Sequence, residues 1–213
     1  DKVLEYPNNK YSEDAMLMGA EMAYTAKDYE KALHIYKQLK DKAASMERRQ
    51  LAKTGMLRSA HMLGNEEEII FTATDLLADT KLAPELSNEA HYYRAKAYLD
   101  AGKTDGAMED LKILAKDTRN VYGAEAKYKV AQIYFDGGQT DKAEQEVLNY
   151  IEVSTPHTYW LARSFVLLAD VYMKLGRNLD AKQYLLSLKQ NYQADDDIAG
   201  MIESRLEKLK TEN

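Results

Sequence analysis

The chain has 213 residues, 45% of them hydrophobic and 30% charged, with 10 glycines, 3 prolines, no cysteine and a net charge of −6. Without cysteine, disulfides, thiolate metal sites and thiol catalysis are excluded, and an acidic chain with no basic run argues against nucleic acid as the main partner. No apolar run approaches the ~20 residues that a membrane-spanning helix needs, and the scarcity of breakers among abundant Ala, Leu, Lys and Glu favours helix throughout.

The chain begins at Asp1 without a signal-peptide pattern, so a processed protein or an excised fragment is expected. Five helical hairpins follow in order. The first, 12–42, turns at "AKDYEKA", which ends at Ala32. The second, 44–79, turns at "LGNEEEI", ending at Ile69. The third, 84–116, turns at "AGKTDGA", ending at Ala107. The fourth, 120–153, turns at "GGQTDKA", ending at Ala143, and the fifth, 156–191, at "LGRNLDA", ending at Ala181. These end points are 37, 38, 36 and 38 residues apart, a period that marks stacked supersecondary units. Asp28, Asn65, Thr104, Thr140 and Asn178 are the expected N-caps of the second helices, each offering a side-chain oxygen to a free backbone N–H. Thr155 is the expected N-cap of the fifth hairpin, with Pro156 at its first helical position. After "ADDD", whose acids suit a helix start, a last helix is predicted within 195–211. Its stripe of Ile198, Met201, Ile202 and Leu206, with Leu209 near the edge, fits a polar-faced cap on the end of the array. A partner-binding helix is the alternative.

Gly102-Lys103-Thr104 ends like a phosphate-binding loop, but Ala97 stands where the loop needs its first glycine, and a helix rather than a strand precedes it. The repeat explains Gly102 as the turn between two helices. Ala20, Ala95, Ala131 and Ala169 each lie twelve residues before their hairpin's end point, so small residues meet where the two helices cross. Tyr98, Tyr134 and Tyr172 lie nine before it, as core-filling rings with a polar tip. The second hairpin carries Leu57 and Ile69 at the small pair, so its helices are expected to cross more widely.

This pattern resembles the tetratricopeptide repeat family: antiparallel helix pairs, small residues at two fixed places and a turn glycine between them, over Glu13 to Tyr192. The period exceeds the family's usual 34 or so by about one helical turn, and only Pro84 and Pro156 stand near hairpin boundaries where the family closes with proline. The resemblance implies an all-α, right-handed α-solenoid of about five hairpins with a C-terminal capping helix. It also implies a non-catalytic scaffold that binds a partner protein or peptide in its concave groove, without a cofactor or metal. In that family the groove is lined by a stripe of the first helices, which carries over to Arg58 and His61, Tyr92 and Lys96, then Tyr128, Gln132 and Asp136, and Asp170. The long, tyrosine-rich repeats resemble bacterial cell-envelope members, the Tol–Pal coordinator and the lipoprotein that helps assemble outer-membrane proteins. A periplasmic or envelope location is therefore expected, with the cytoplasm as the alternative.

Two other readings compete. A carboxylate clamp would need Lys, Asn and Arg on successive first helices, where Leu17, Glu21, Gly55, Glu89 and Tyr93 stand instead. A carbohydrate-binding or enzymatic helical-hairpin protein could use tyrosines and acids on the groove. No G-x-S-x-G, no dinucleotide turn and no H-E-x-x-H occurs to specify a reaction. Glu66-Glu67-Glu68 reads as a solvated helix start, and methionines such as Met16, Met18, Met22, Met56 and Met62 as core filler. His91 reads as a packed core residue.

Overall fold

The computed structural model describes residues 12–211. Among them are eleven α-helices and no strand. In order they are α1 (Ser12–Thr25), α2 (Tyr29–Lys42), α3 (Met46–Met62), α4 (Glu66–Leu77), α5 (Pro84–Asp100), α6 (Thr104–Leu114), α7 (Val121–Asp136), α8 (Thr140–Ile151), α9 (Thr158–Lys174), α10 (Asn178–Asn191) and α11 (Ile198–Thr211). None is long and apolar enough to cross a membrane. The chain forms two compact units that divide between Asp110 and Leu111.

Each hairpin turns through three residues, at 26–28, 63–65, 101–103, 137–139 and 175–177. The middle residue of every turn has positive φ: Lys27, Gly64, Gly102, Gly138 and Gly176. All five stand five positions before the hairpin end points named above. Glycine adopts this left-handed conformation without the Cβ clash that other residues meet, and among the five only Lys27 carries a side chain there. The connections between hairpins are longer, six residues at 78–83, 115–120, 152–157 and 192–197, and three at 43–45.

The turn geometry corrects three of the expected caps. The cap falls on the residue directly after the left-handed one, where φ is negative again but ψ is not yet helical. In the first two hairpins that residue is Asp28 or Asn65, whose side chains accept from the backbone N–H of Lys31 and Glu68. In the others it is Lys103, Gln139 or Arg177. The Lys103 carbonyl accepts the first helical bond from Ala107, and Gln139 and Arg177 make no side-chain cap bond. Thr104, Thr140 and Asn178 are therefore the first helical residues and not caps. Thr155 and Pro156 are also displaced: α9 begins at Thr158 with His157 as its N-cap. The Thr155 hydroxyl instead donates to the Thr118 carbonyl at 2.8 Å and accepts from the His157 N–H.

In the first unit α1 to α5 pack each on its successor, and the first helices also touch in sequence, α1 on α3 and α3 on α5. Leu57 and Ile69 are both buried there, in one cluster with Ala60, Ala73 and Leu76. In this hairpin the large residue stands twelve before the end point and alanine nine before it, the reverse of the third hairpin's Ala95 and Tyr98. The volume is exchanged between neighbouring positions. Asp110, 1% exposed, receives hydrogen bonds from His91 Nδ1 at 2.7 Å and from Arg94 Nε and Nη2 at 2.8 and 2.7 Å. His91 is thus a packed residue, held through an ion cluster.

In the second unit α7 packs on α8, α8 on α9 and α9 on α10, and α7 also touches α9, as α9 does α11. Ile198, Ile202, Leu206 and Leu209 of α11 are buried in the same core as Leu168, Leu185 and Tyr172. Beside this stripe Glu203 pairs with Lys189 of α10 and Glu207 with Lys210, both in exposed ion pairs. Leu209 belongs fully to the buried stripe, and not to its edge.

Candidate functional site

In the first unit the sequence stripe falls on α3 and α5. Arg58 reaches from α3 to α5 and grips Glu89 with both arms of its guanidinium, Nε to Oε1 at 2.6 Å and Nη2 to Oε2 at 2.8 Å. These bonds, more than burial, set its titration, and they raise the guanidinium pKa. A part-buried bidentate pair of this kind fixes geometry as well as charge. One turn on, the His61 ring stacks on Tyr93 with centroids 4.3 Å apart. Burial first, then the nearby Lys96, lowers the His61 pKa, which favours the neutral ring. Lys96 holds its ammonium 5.6 Å from the centre of the Tyr92 ring, and Tyr92 in turn meets Tyr93. His61, Tyr92 and Lys96 are thus connected through Tyr93 across α3 and α5, with Arg58 held separately by Glu89.

Beside it lies a cavity of about 380 Å³ lined by Glu21, Tyr24, Tyr36, Leu51, Gly55 and Arg58, with Thr25 and Thr54. A second hollow of about 470 Å³ runs along α1 and shares Glu21 and Thr25 with the first. Its remaining lining is Met18, Met22 and Ala26, and the two methionines are 62% and 70% exposed. Met18 and Met22 are therefore surface residues and not core filler, whereas Met16 and Met56 are buried as expected. Met62 is also exposed.

In the second unit the stripe on α7 is a hydrogen-bonded ladder. The Tyr128 hydroxyl donates to Gln132 Oε1 at 2.7 Å, and Gln132 Nε2 donates to Asp136 Oδ1 at 2.8 Å. The i, i+4 spacing places the three on one face. Tyr128 is only 4% exposed, covered by Trp160 and by Arg163, whose guanidinium lies 5.1 Å from the ring centre. Arg163 also donates to the hydroxyls of Tyr159 and Tyr128 and pairs with Asp197. Asp170 is engaged by α11: Arg205 donates to it from Nε at 2.9 Å and from Nη2 at 2.8 Å. Tyr128 and Asp170 are thus bound up in packing and pairing, while Gln132 and Asp136 stay closer to solvent.

Trp160 and Arg163 were not legible as parts of this surface. They stand two to three turns earlier on their helix than Asp170, where the family's stripe falls, and the Tyr128 that they cover lies on a different hairpin. Glu21, Tyr24 and Tyr36 were missed for a related reason. The cavity draws on α1, α2 and α3 together; Glu21 and Gly55 had stood out only as positions where a carboxylate clamp needs other residues, and Arg58 alone of its linings lay on the expected stripe.

Residues 89–117 and 162–190 each match a model of the tetratricopeptide repeat. Among curated proteins none is similar enough in sequence to count as a relative. Among solved structures the chain is similar to the MamA protein, at 16% identity over 85% of this chain and 92% of that one, with a TM-score of 0.67. It is also similar to the nearly identical TPR-like repeats of a putative kinesin light chain from Podosopora anserina, at 17% identity over 86% and 96%, with a TM-score of 0.58. A thermophilic TPR protein of Thermus thermophilus aligns at 18% identity over 91% and 98%, with a TM-score of 0.50. At these identities the likeness establishes the fold alone: all-helical, of the kind seen in tetratricopeptide repeat proteins.

Proposed function

We propose, from the tetratricopeptide repeats that the chain carries at 89–117 and 162–190, that it is a non-catalytic scaffold for protein–protein interaction. It binds a peptide or an extended partner segment on the face formed by its first helices. The observation that supports this reading is the surface of α3 and α5. There His61, Tyr92 and Lys96 join through Tyr93 into one surface around a pre-fixed Arg58–Glu89 pair, next to an open cavity. Rigid aromatic side chains lose little entropy on binding, and their polar edges read hydrogen bonds, so such surfaces carry binding energy well. In the second unit the corresponding face offers Gln132 and Asp136, with Tyr128 and Asp170 as the supports that hold it.

A photo-crosslinking amino acid at Lys96 or Gln132 captures a discrete partner in cells, whereas the same group at the second-helix position Gln145 does not. Equal capture from all three positions, or capture from Gln145 alone, removes this reading. Within it, we assign the chain to bacterial cell-envelope assembly, on the support of repeats 36 to 38 residues long. Fractionation of the producing cells tests that assignment, and recovery of the chain in the cytoplasm alone overturns it.

A further inference from the structure

We propose that the groove along α1 binds a lysine or arginine side chain of a partner segment, with an apolar residue of the same segment seated on Met18 and Met22. The inference rests on the interaction-scaffold reading and gives its partner a chemistry.

Charge is the first argument. Glu21 lines both hollows, and its carboxylate forms no ion pair or hydrogen bond among the described residues. Only its backbone carbonyl is used, by the Thr25 hydroxyl at 2.8 Å. The cation in the cavity wall is Arg58, and both arms of its guanidinium are already bonded to Glu89. An incoming anion would have to displace that pair, and it would meet the bare Glu21. An incoming cation meets a carboxylate with nothing to give up.

The walls supply the second argument. Tyr24 and Tyr36 border the same cavity. Tyrosine rings carry negative charge on their faces and attract ammonium or guanidinium groups, most strongly where water is displaced. Burial raises the pKa of both phenols, so they remain neutral aromatic surface at physiological pH. Tyr36 is fixed in place because its ring packs on Gly55, where a side chain would collide with it. The cavity of about 380 Å³ accommodates one long cationic side chain rather than a folded element.

The third argument is the adjoining lip. Met18 and Met22 lie one helical turn apart and are both open to solvent. Unbranched, polarisable methionines suit apolar side chains of varied shape. Because Glu21 borders both hollows, the cation and the apolar residue lie within a few residues of each other on the partner.

The test uses the full chain labelled at methionine methyl and tyrosine ring carbons, titrated with acetyl-Leu-Arg-Leu-amide and with acetyl-Leu-Glu-Leu-amide as control. The arginine peptide gives saturating NMR shifts at Met18, Met22, Tyr24 and Tyr36, and the glutamate peptide gives none. Glu21→Gln weakens binding about tenfold, the loss expected for one charge-assisted hydrogen bond. Glu21 is exposed and unpaired, so this variant folds as the parent does. Absence of shifts, equal binding of the glutamate peptide, or unchanged affinity in Glu21→Gln overturns the proposal. Concentration-dependent shifts of Met18 and Met22 without peptide assign the groove to a second copy and overturn it too. If the peptide fails while crosslinks from Lys96 and Gln132 persist, the cation pocket falls and the scaffold reading stands.

Discussion

The ring of Tyr36 lies directly against the backbone of Gly55, so closely that a Cβ at Gly55 would fall inside the ring's van der Waals envelope. Tyr36 is buried in the core with Leu33, Leu39 and Met56, and swinging its ring into the cavity that it borders would break that packing. Gly55→Ala therefore sets a helix-propensity gain of about 1 kcal/mol against an overpacking cost of about 1–3 kcal/mol. The expected net result is destabilisation. Gly200 in α11 is the control, because nothing lies within 4 Å of its would-be Cβ. Gly200→Ala should stabilise by about 0.5–1 kcal/mol. Urea denaturation of the two variants checks the opposite signs.

Asp110 should make stability fall on acidification. Burial alone would raise its pKa, but the hydrogen bonds from Arg94 and His91 outweigh burial and hold the carboxyl below the usual range. A depressed folded pKa contributes stability that is present above the unfolded value of about 3.9 and is lost as pH falls through the folded value. Asp110→Asn strands Arg94 and should cost about 3 kcal/mol at pH 7. The gap between parent and variant should narrow below about pH 4 as the parent's own carboxyl protonates. Thermal melts at pH 7 and pH 3 measure it, and a constant gap would count against this account.

The turns make a sharper prediction. Gln139 has φ −88° and ψ 62°, close to the −93° and 86° of Asn65, which caps its helix. Gln139→Asn should place an acceptor on the free N–H groups of α8 and stabilise by about 0.5–1 kcal/mol. Thr140→Ala should stay within about 0.5 kcal/mol, because Thr140 is already helical. Lys27→Gly should relieve the left-handed hairpin-turn residue that bears a side chain, by about 1 kcal/mol. Melting temperatures of the three variants decide whether the cap follows the backbone or the nearest threonine.

Asp170 and Arg205 tie α9 to the last helix through hydrogen bonds from Nε at 2.9 and 3.2 Å and from Nη2 at 2.8 Å. Both side chains are about a quarter exposed, so screening reduces their Coulomb attraction. Asp170→Asn should lower stability by about 1 kcal/mol, and Arg205→Met by a similar amount. In a double-mutant cycle the two losses should fall short of adding, because they remove the same pair. Fully additive losses would mean that the pair is not the source.

Periodic residues were the legible part of the fold. Ala32, Ala107, Ala143 and Ala181 mark the hairpins because a helix crossing tolerates little volume there, and all four are fully buried. The caps were less legible because Thr104, Thr140 and Asn178 have the right side chains one residue too late. Side-chain chemistry is visible in a sequence, whereas the backbone position that selects the cap is fixed by the left-handed residue before it. Thr155 failed differently: its hydroxyl serves a carbonyl 37 residues back, a tertiary contact that no local pattern announces. The stripe of Arg58, His61, Tyr92 and Lys96 could be followed along helices. The partners that decide how such residues behave, Glu89 for Arg58 and Arg205 for Asp170, lie 31 and 35 residues away and carry no local sign.

The contrast between three-residue turns inside the hairpins and mostly six-residue connections between them bears on how the chain can be engineered. A turn locked by a left-handed middle residue and a fixed cap has no slack, so an added residue would rotate the whole second helix about its axis by roughly 100°. The connections at 78–83 and 152–157 are twice as long, and an insertion at 80–82 or at 152–154, clear of the Asp79–Lys53 pair and of the Thr155 and His157 contacts, changes only the path between two finished hairpins. Lys81 bends the first of them with a positive φ, but the N-cap that follows it, Ala83, makes no side-chain bond that an insertion could break. Epitope tags, reporter domains and new termini therefore belong at 80–82 or at 152–154. The same two stretches are where a trace of protease would make its first cuts.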